Sequence, residues 1–299
     1  MKIILVALLL AFGAGVSGQE KDLLSAYPKG TVLRRDIAYL GDTLKKHRLD
    51  LYLPAGVKGP MPLLVFVHGG GWVSNDKTAD MGYMRQTVGE ISALGIAIAS
   101  IDYRFAADAV FPEILKDCNA AVSYLYDHAA EFGFDRERFA IMGFSAGGHL
   151  GTLMGLSNNQ QVDAFFVPGS SRQFRFRAIV DFYGPMDLEK MPNSRDPEAP
   201  ESILLGGRPG DHPDRARAAS PLTYIDAKDP PVLIIHGEKD YMVPPAQSRL
   251  LLSQLQQHGV KSELMVVPGA PHYGVLFDAE AVRRKVVGFL GEKLVDSRQ

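Results

Sequence analysis

The sequence has 299 residues, 46% of them hydrophobic and 22% charged, with 32 Lys plus Arg, 34 Asp plus Glu and a net charge of −2. Such a chain is globular, long enough for one large domain or two, and its core needs no staple. The near-neutral charge offers no field for nucleic acid or an anionic membrane, and the single cysteine, Cys118, excludes an internal disulfide and a cysteine-built zinc site.

Residues 1–18 stand apart from the rest. Lys2 supplies a short positive region, and Ile3 to Phe12 is an apolar run. Val16-Ser17-Gly18 fits a signal-peptidase site before Gln19. The apolar run is roughly half of what a bilayer needs, so it reads as a cleaved secretory signal and not a stable membrane anchor. The expectation is a secreted or periplasmic protein, cleaved after Gly18, with one catalytic domain over residues 19–299.

Arg35–Leu40 and Arg48–Leu53 alternate in polarity and predict an antiparallel pair of strands. Pro62–Val67, Ile96–Ile101, Phe139–Met142, Ala178–Phe182 and Val232–Ile235 are apolar throughout, as in strands buried on both faces of a parallel sheet. Glu263–Val267 reads as a last strand. Between them lie helical patterns at Met81–Leu94, Pro112–Phe132, Ala146–Leu156, Pro245–His258 and Ala279–Leu294. In the second, Ile114, Cys118, Ala121, Val122 and Leu125 share one face, which makes Cys118 a buried thiol. Strands alternating with helices predict an α/β fold, a mostly parallel sheet flanked by helices. Two stretches interrupt the alternation, Ser157–Arg177 with its run RQFRFR and Glu189–Ala227. Loops of this length are functional or cap-like. Strands of the same sheet follow both, so the reading is one domain.

The sharpest local signal is Gly143-Phe144-Ser145-Ala146-Gly147-Gly148, between a predicted strand and a predicted helix. In that context G-x-S-x-G is a nucleophile elbow. The tight turn lifts the Ser145 hydroxyl above the sheet edge, and glycines leave it room. The helix that follows aims its N-terminal N–H groups at the same point. The second signal is His68-Gly69-Gly70-Gly71-Trp72, directly after the strand Pro62–Val67. Successive glycines free the backbone to turn N–H groups toward an oxyanion. Gly70 and Gly71 are the favoured donors, with Gly69 a third candidate and the Ala146 N–H completing the hole. His68 reads as a residue that fixes the loop.

With these two motifs the chain resembles the α/β-hydrolase esterases. It is most similar to the hormone-sensitive-lipase-like carboxylesterases and to secreted acetyl-xylan and feruloyl-type esterases. Asp102-Tyr103-Arg104, Phe111-Pro112, Phe182-Tyr183-Gly184-Pro185 and Ala218-Ala219-Ser220-Pro221 extend the likeness over most of the chain. The resemblance implies an eight-stranded, mostly parallel sheet, serine esterase chemistry and no cofactor. No H-E-x-x-H or dense acidic cluster suggests a metal.

In this fold the triad follows the chain order Ser, then Asp or Glu, then His. Asp240 lies just past the strand Val232–Ile235, and His272 just past the last strand. The assignment is Ser145 as nucleophile, His272 as base and then acid, and Asp240 as orienter. Asp187 is the rival acid. His236 matches a structural position, and His149 is expected to be packed. Trp72, Phe144 and Tyr183 are candidates for lining the acyl pocket. The implied substrate is an ester of a small molecule or a polysaccharide, with a short acyl group, acetyl or feruloyl. A prolyl-oligopeptidase-type peptidase shares this fold and triad order. A catalytically silent binding protein of the same fold would be expected to lack one of the three residues.

Overall fold

The apolar segments pair into one eight-stranded sheet in the computed structural model, which describes residues 24–295. The segment read as a secretory signal lies outside the described residues. The strands are β1 (Val32–Ala38), β2 (Arg48–Leu53), β3 (Met61–Val67), β4 (Ala97–Ile101), β5 (Phe134–Phe144), β6 (Phe176–Phe182), β7 (Val232–Gly237) and β8 (Ser262–Val267). Their order across the sheet is β1-β2-β4-β3-β5-β6-β7-β8. β2 runs antiparallel to both neighbours, and the other pairings are parallel.

Where the strand ends depart from the sequence pattern, pairing is the reason. β1 begins earlier than Arg35 because Val32 pairs with Leu53. β5 reaches back to Phe134, which pairs with Met61. Local alternation cannot reveal such partners, because they lie far along the chain.

The helices are α1 (Arg85–Ala93), α2 (Glu113–Asp127), α3 (Ala129–Phe132), α4 (Ala146–Ser157), α5 (Pro200–Leu205), α6 (Pro213–Ala219), α7 (Ala246–Gln257) and α8 (Glu280–Leu294). The helical pattern Pro112–Phe132 is broken at His128, and Gly133 ends its last turn in the left-handed region at φ 74°. α5 and α6 lie in the stretch Glu189–Ala227, each opened by a proline whose missing N–H would be unsatisfied there anyway. In RQFRFR, Phe174 and Phe176 are buried while Gln173, Arg175 and Arg177 are exposed, so the run is a solvated face alternating with core aromatics.

The pleat divides the core into two layers. Leu63, Val65 and Val67 face the cluster that includes α2 and α4, with Cys118 fully buried in it. Leu64 and Phe66 face the cluster formed with α1 and α8. The chain leaves β3 for β4 on one side and returns to β5 on the other. The carboxyl ends of β3 and β5 therefore flank a topological switch point, where this architecture opens its crevice.

α4 sits very close to that crevice. A Cβ on Gly147 would lie 2.2 Å from the Val67 carbonyl oxygen and 2.4 Å from that of His68. One on Gly143 would lie 2.1 Å from the Gly147 carbonyl oxygen. Overpacking of this kind costs about 1–3 kcal/mol or more. Gly147→Ala should therefore lower the thermal midpoint by several degrees. Gly288→Ala is the control, since no neighbour lies within 4 Å of its Cβ position. Calorimetry of the two variants should show a loss for the first and none for the second.

Candidate active site

Ser145 joins β5 to α4 with φ 52° and ψ −116°, a conformation that side chains rarely adopt. Its N–H donates to the Phe182 carbonyl at 2.8 Å, and its own carbonyl accepts the His149 N–H at 2.9 Å. These bonds hold the turn on the end of β6 and on the first turn of α4. The side chain stays partly exposed at the sheet edge.

Two loops from neighbouring strands meet it. His272, beyond β8, places Nε2 2.8 Å from the Ser145 hydroxyl and Nδ1 2.6 Å from Asp240 Oδ2. Asp240, beyond β7, is itself fixed. Its Oδ1 accepts the N–H groups of Met242 at 3.0 Å and Val243 at 2.9 Å. His236 Nε2 lies 3.2 Å from Oδ2 and 2.9 Å from the Val243 carbonyl. Burial raises the pKa of Asp240, but the bonds from His236, His272 and the backbone outweigh it and hold the carboxyl far below the usual range. Asp240 thus stays ionised beside the imidazole. Asp187 instead faces Lys190 at 2.7 Å and caps the turn at Glu189.

The glycine loop after β3 is pinned from both sides. His68, fully buried and stacked on Tyr103 at 4.3 Å, donates from Nδ1 to the Gly69 carbonyl at 2.7 Å. The peptide unit is planar and trans. Fixing the Gly69 carbonyl on one side therefore aims the Gly70 N–H the opposite way. Gly70 and Gly71 have φ of 112° and 59°, values that glycine adopts without penalty. The Val73 and Ser74 N–H groups and the Ser74 hydroxyl all converge on the Gly70 carbonyl. The Cβ position of Gly69 lies 3.4 Å from the Ser145 Cβ, so the loop reaches the serine.

Gly69 departs from the sequence expectation. Its N–H donates to Asp80 Oδ2 at 2.6 Å and is committed there, which leaves Gly70, Gly71 and Ala146 as candidate oxyanion donors. Asp80 is buried, and Tyr83 donates to its other oxygen at 3.0 Å. The Tyr83 hydroxyl lies 2.6 Å from that of Tyr183, whose ring packs 4.7 Å from the His272 ring. Burial raises the pKa of Asp80, partly offset by the Gly69 N–H. This chain of contacts ties the glycine loop to the histidine loop. Sequence reasoning missed Asp80 and Tyr83. The one local signal for Asp80 is its place just before the predicted helix at Met81, which reads as a cap.

The candidate pocket residues are also corrected in part. Phe144 is fully buried and stacks on Phe182 at 4.4 Å, so it is core beneath the serine and not a pocket wall. Tyr183 is buried behind His272. Trp72 is buried, edge-on to His149 at 5.2 Å. His149 donates from Nε2 to the Ala219 carbonyl at 2.7 Å, and burial lowers its pKa to about 4, so it is neutral at pH 7.

The fold and the serine, histidine and carboxylate at one sheet edge define an α/β-hydrolase. The chain belongs to the BD-FAE family, whose model matches residues 49–255. Esterase LipQ of Mycobacterium tuberculosis is 33% identical over 231 residues, covering 76% of this chain and 53% of that protein. A solved structure described as a truncated carbohydrate esterase from gut microbiota has a TM-score of 0.81 at 28% identity, covering 91% of this chain and 98% of that one. A bifunctional GH43-CE protein of Bacteroides eggerthii has a TM-score of 0.80 at 32% identity, covering 88% of this chain and 35% of that one. The chain spans about half the length of the curated relatives it matches.

Two predictions follow from the groups beneath the site. Asp80→Ala frees the Gly69 N–H and loosens the loop. Misplacement of about 1 Å can reduce turnover by about a hundredfold, so kcat for a soluble ester should fall ten- to a hundredfold while KM changes little. Steady-state kinetics read that split. Asp181, at the end of β6, is fully buried against Gly148 and Gly184, and burial raises its pKa to about 7. An aspartate that binds its proton more tightly when folded favours the folded state most at pH below 4, and that contribution is lost as pH rises to about 7. Asp181→Asn should flatten this decline in melting temperature between pH 4 and 7.

Proposed function

We propose that this protein is a serine carboxylic-ester hydrolase acting through an acyl-enzyme. The observation that carries the reading is the continuous contact from Ser145 through His272 to Asp240, at 2.8 and 2.6 Å, on a strained strand-to-helix turn. Ser145 Oγ attacks the ester carbonyl carbon while its proton passes to His272 Nε2. The carbonyl oxygen becomes an oxyanion facing the N–H groups of Gly70, Gly71 and Ala146. The tetrahedral intermediate then expels the alcohol, which takes the proton from Nε2. Water attacks the acyl-enzyme by the same route and releases the acid, and Ser145 regains its proton. Asp240 holds the ring with Nε2 toward the serine and stabilises the imidazolium. The chemistry needs no cofactor.

The acyl group in this reading is short. The resemblance to acetyl-xylan and feruloyl-type esterases supports acetyl or feruloyl, and Trp72, Phe144 and Tyr183 are packed into the protein. A related structure described as a carbohydrate esterase supports a sugar as the alcohol half of the ester. Residues 1–18 support export, with cleavage after Gly18. Among the described residues no helix is long and apolar enough to cross a membrane.

Purified protein should hydrolyse p-nitrophenyl acetate and be labelled by a fluorophosphonate. Ser145→Ala should lose labelling and at least a thousandfold in kcat, since triad members act as a unit. Near-normal turnover by that variant would overturn the assignment.

A further inference from the structure

The most exposed of the large apolar side chains among the described residues cluster. Five are more than half exposed, and four of these flank the candidate triad. Tyr241 is 86% exposed and Met242 61%, both directly after Asp240. Tyr273 is 62% exposed and Val275 75%, both directly after His272. Leu276 adds to the same loop. Single exposed apolar residues need no explanation, but a cluster beside a reactive centre does.

The backbone around these side chains is held. The Met242 and Val243 N–H groups are bound to the Asp240 carboxylate, which curls the first loop around the acid. The His272 side chain is fixed between Asp240 and Ser145. The two loops are joined through the 2.6 Å contact between His272 and Asp240, so their exposed side chains border one site. They are displayed from ordered turns on a rigid sheet edge.

Proton transfer says what meets this border. His272 Nε2 must protonate the leaving oxygen, so that oxygen lies within hydrogen-bond reach of it. The candidate oxyanion donors lie on the glycine loop and at the start of α4, on other segments than these residues. The alcohol half of the ester therefore extends over the loops that carry His272 and Asp240. We propose that Tyr241, Met242, Tyr273 and Val275 form a platform for the alcohol half of the substrate, and that its occupant is a sugar ring. This rests on the esterase reading above. A sugar ring pairs an apolar face of C–H groups with a polar rim of hydroxyls. Tyrosine has the same division, a flat apolar body and a polar edge that stays wet. The platform selects for a large ring alcohol.

The test compares two acetyl esters that differ only in the alcohol, acetylated xylotriose and ethyl acetate. For the full chain, the ratio of kcat/KM between the first and the second should fall about tenfold in Tyr241→Ser/Tyr273→Ser, with the loss in KM for the oligosaccharide. Both side chains are exposed, so the melting temperature should stay within a few degrees. An unchanged ratio would overturn the proposal. So would a selective loss of activity on a tributyrin emulsion, which would make the surface a lipid contact. A dimer in sedimentation that the variant dissociates would also overturn it, by assigning the surface to a second copy. If the wild type cleaves neither ester, the esterase reading fails and takes this inference with it. A constant ratio overturns the inference alone.

Discussion

The contact between the first turn of α4 and the end of β3 constrains everything above it. Gly147 sits where any side chain would enter the carbonyls of Val67 and His68. That approach forces Ser145 into its strained turn at φ 52° and brings the glycine loop to the serine's side. The two segments come from strands that are adjacent in the sheet but far apart in sequence. Without the close approach, neither the serine nor the candidate oxyanion donors would have a fixed position.

Around that point the protein commits its buried polar groups to orientation. His68 and Asp80 take the carbonyl and the N–H of the same residue, Gly69, and leave the next N–H aimed elsewhere. Asp240 is gripped by two backbone N–H groups and by His236 before it meets His272. His236 is in turn 2.6 Å from the Ser248 hydroxyl. Gln247 accepts the N–H groups of Met186 and Asp187, which holds the chain just past the end of β6. Each side chain is buried, so an unmade bond would be costly. The cost discourages alternative geometries, which is the physical content of preorganisation.

The large side chains around the serine differ in exposure. Phe144 is sealed into the core beneath the serine and Tyr183 behind His272, whereas Tyr241, Met242, Tyr273 and Val275 stay exposed on the loops after β7 and β8. Asp240 and His272 follow β7 and β8, the last two strands of the sheet order.

The sequence by itself determined the architecture and singled out Ser145, Asp240 and His272 as candidates for the reactive residues. Buried parallel strands are apolar throughout and a glycine-flanked serine between strand and helix is a local signal, whereas Asp240 and His272 were placed by the chain order of the fold. Tertiary structure decided what depends on distant partners. Pairing set the extents of β1 and β5, and of the two candidate acids Asp240 meets His272 while Asp187 faces Lys190. It also removed Gly69 from the oxyanion donors, because Asp80 takes its N–H, and Phe144 from the pocket, because the core takes its ring. A hydrogen bond between residues that no motif links leaves no periodic trace in the chain. Only the folded sheet brings Asp80, Tyr83 and Tyr183 into line behind the site.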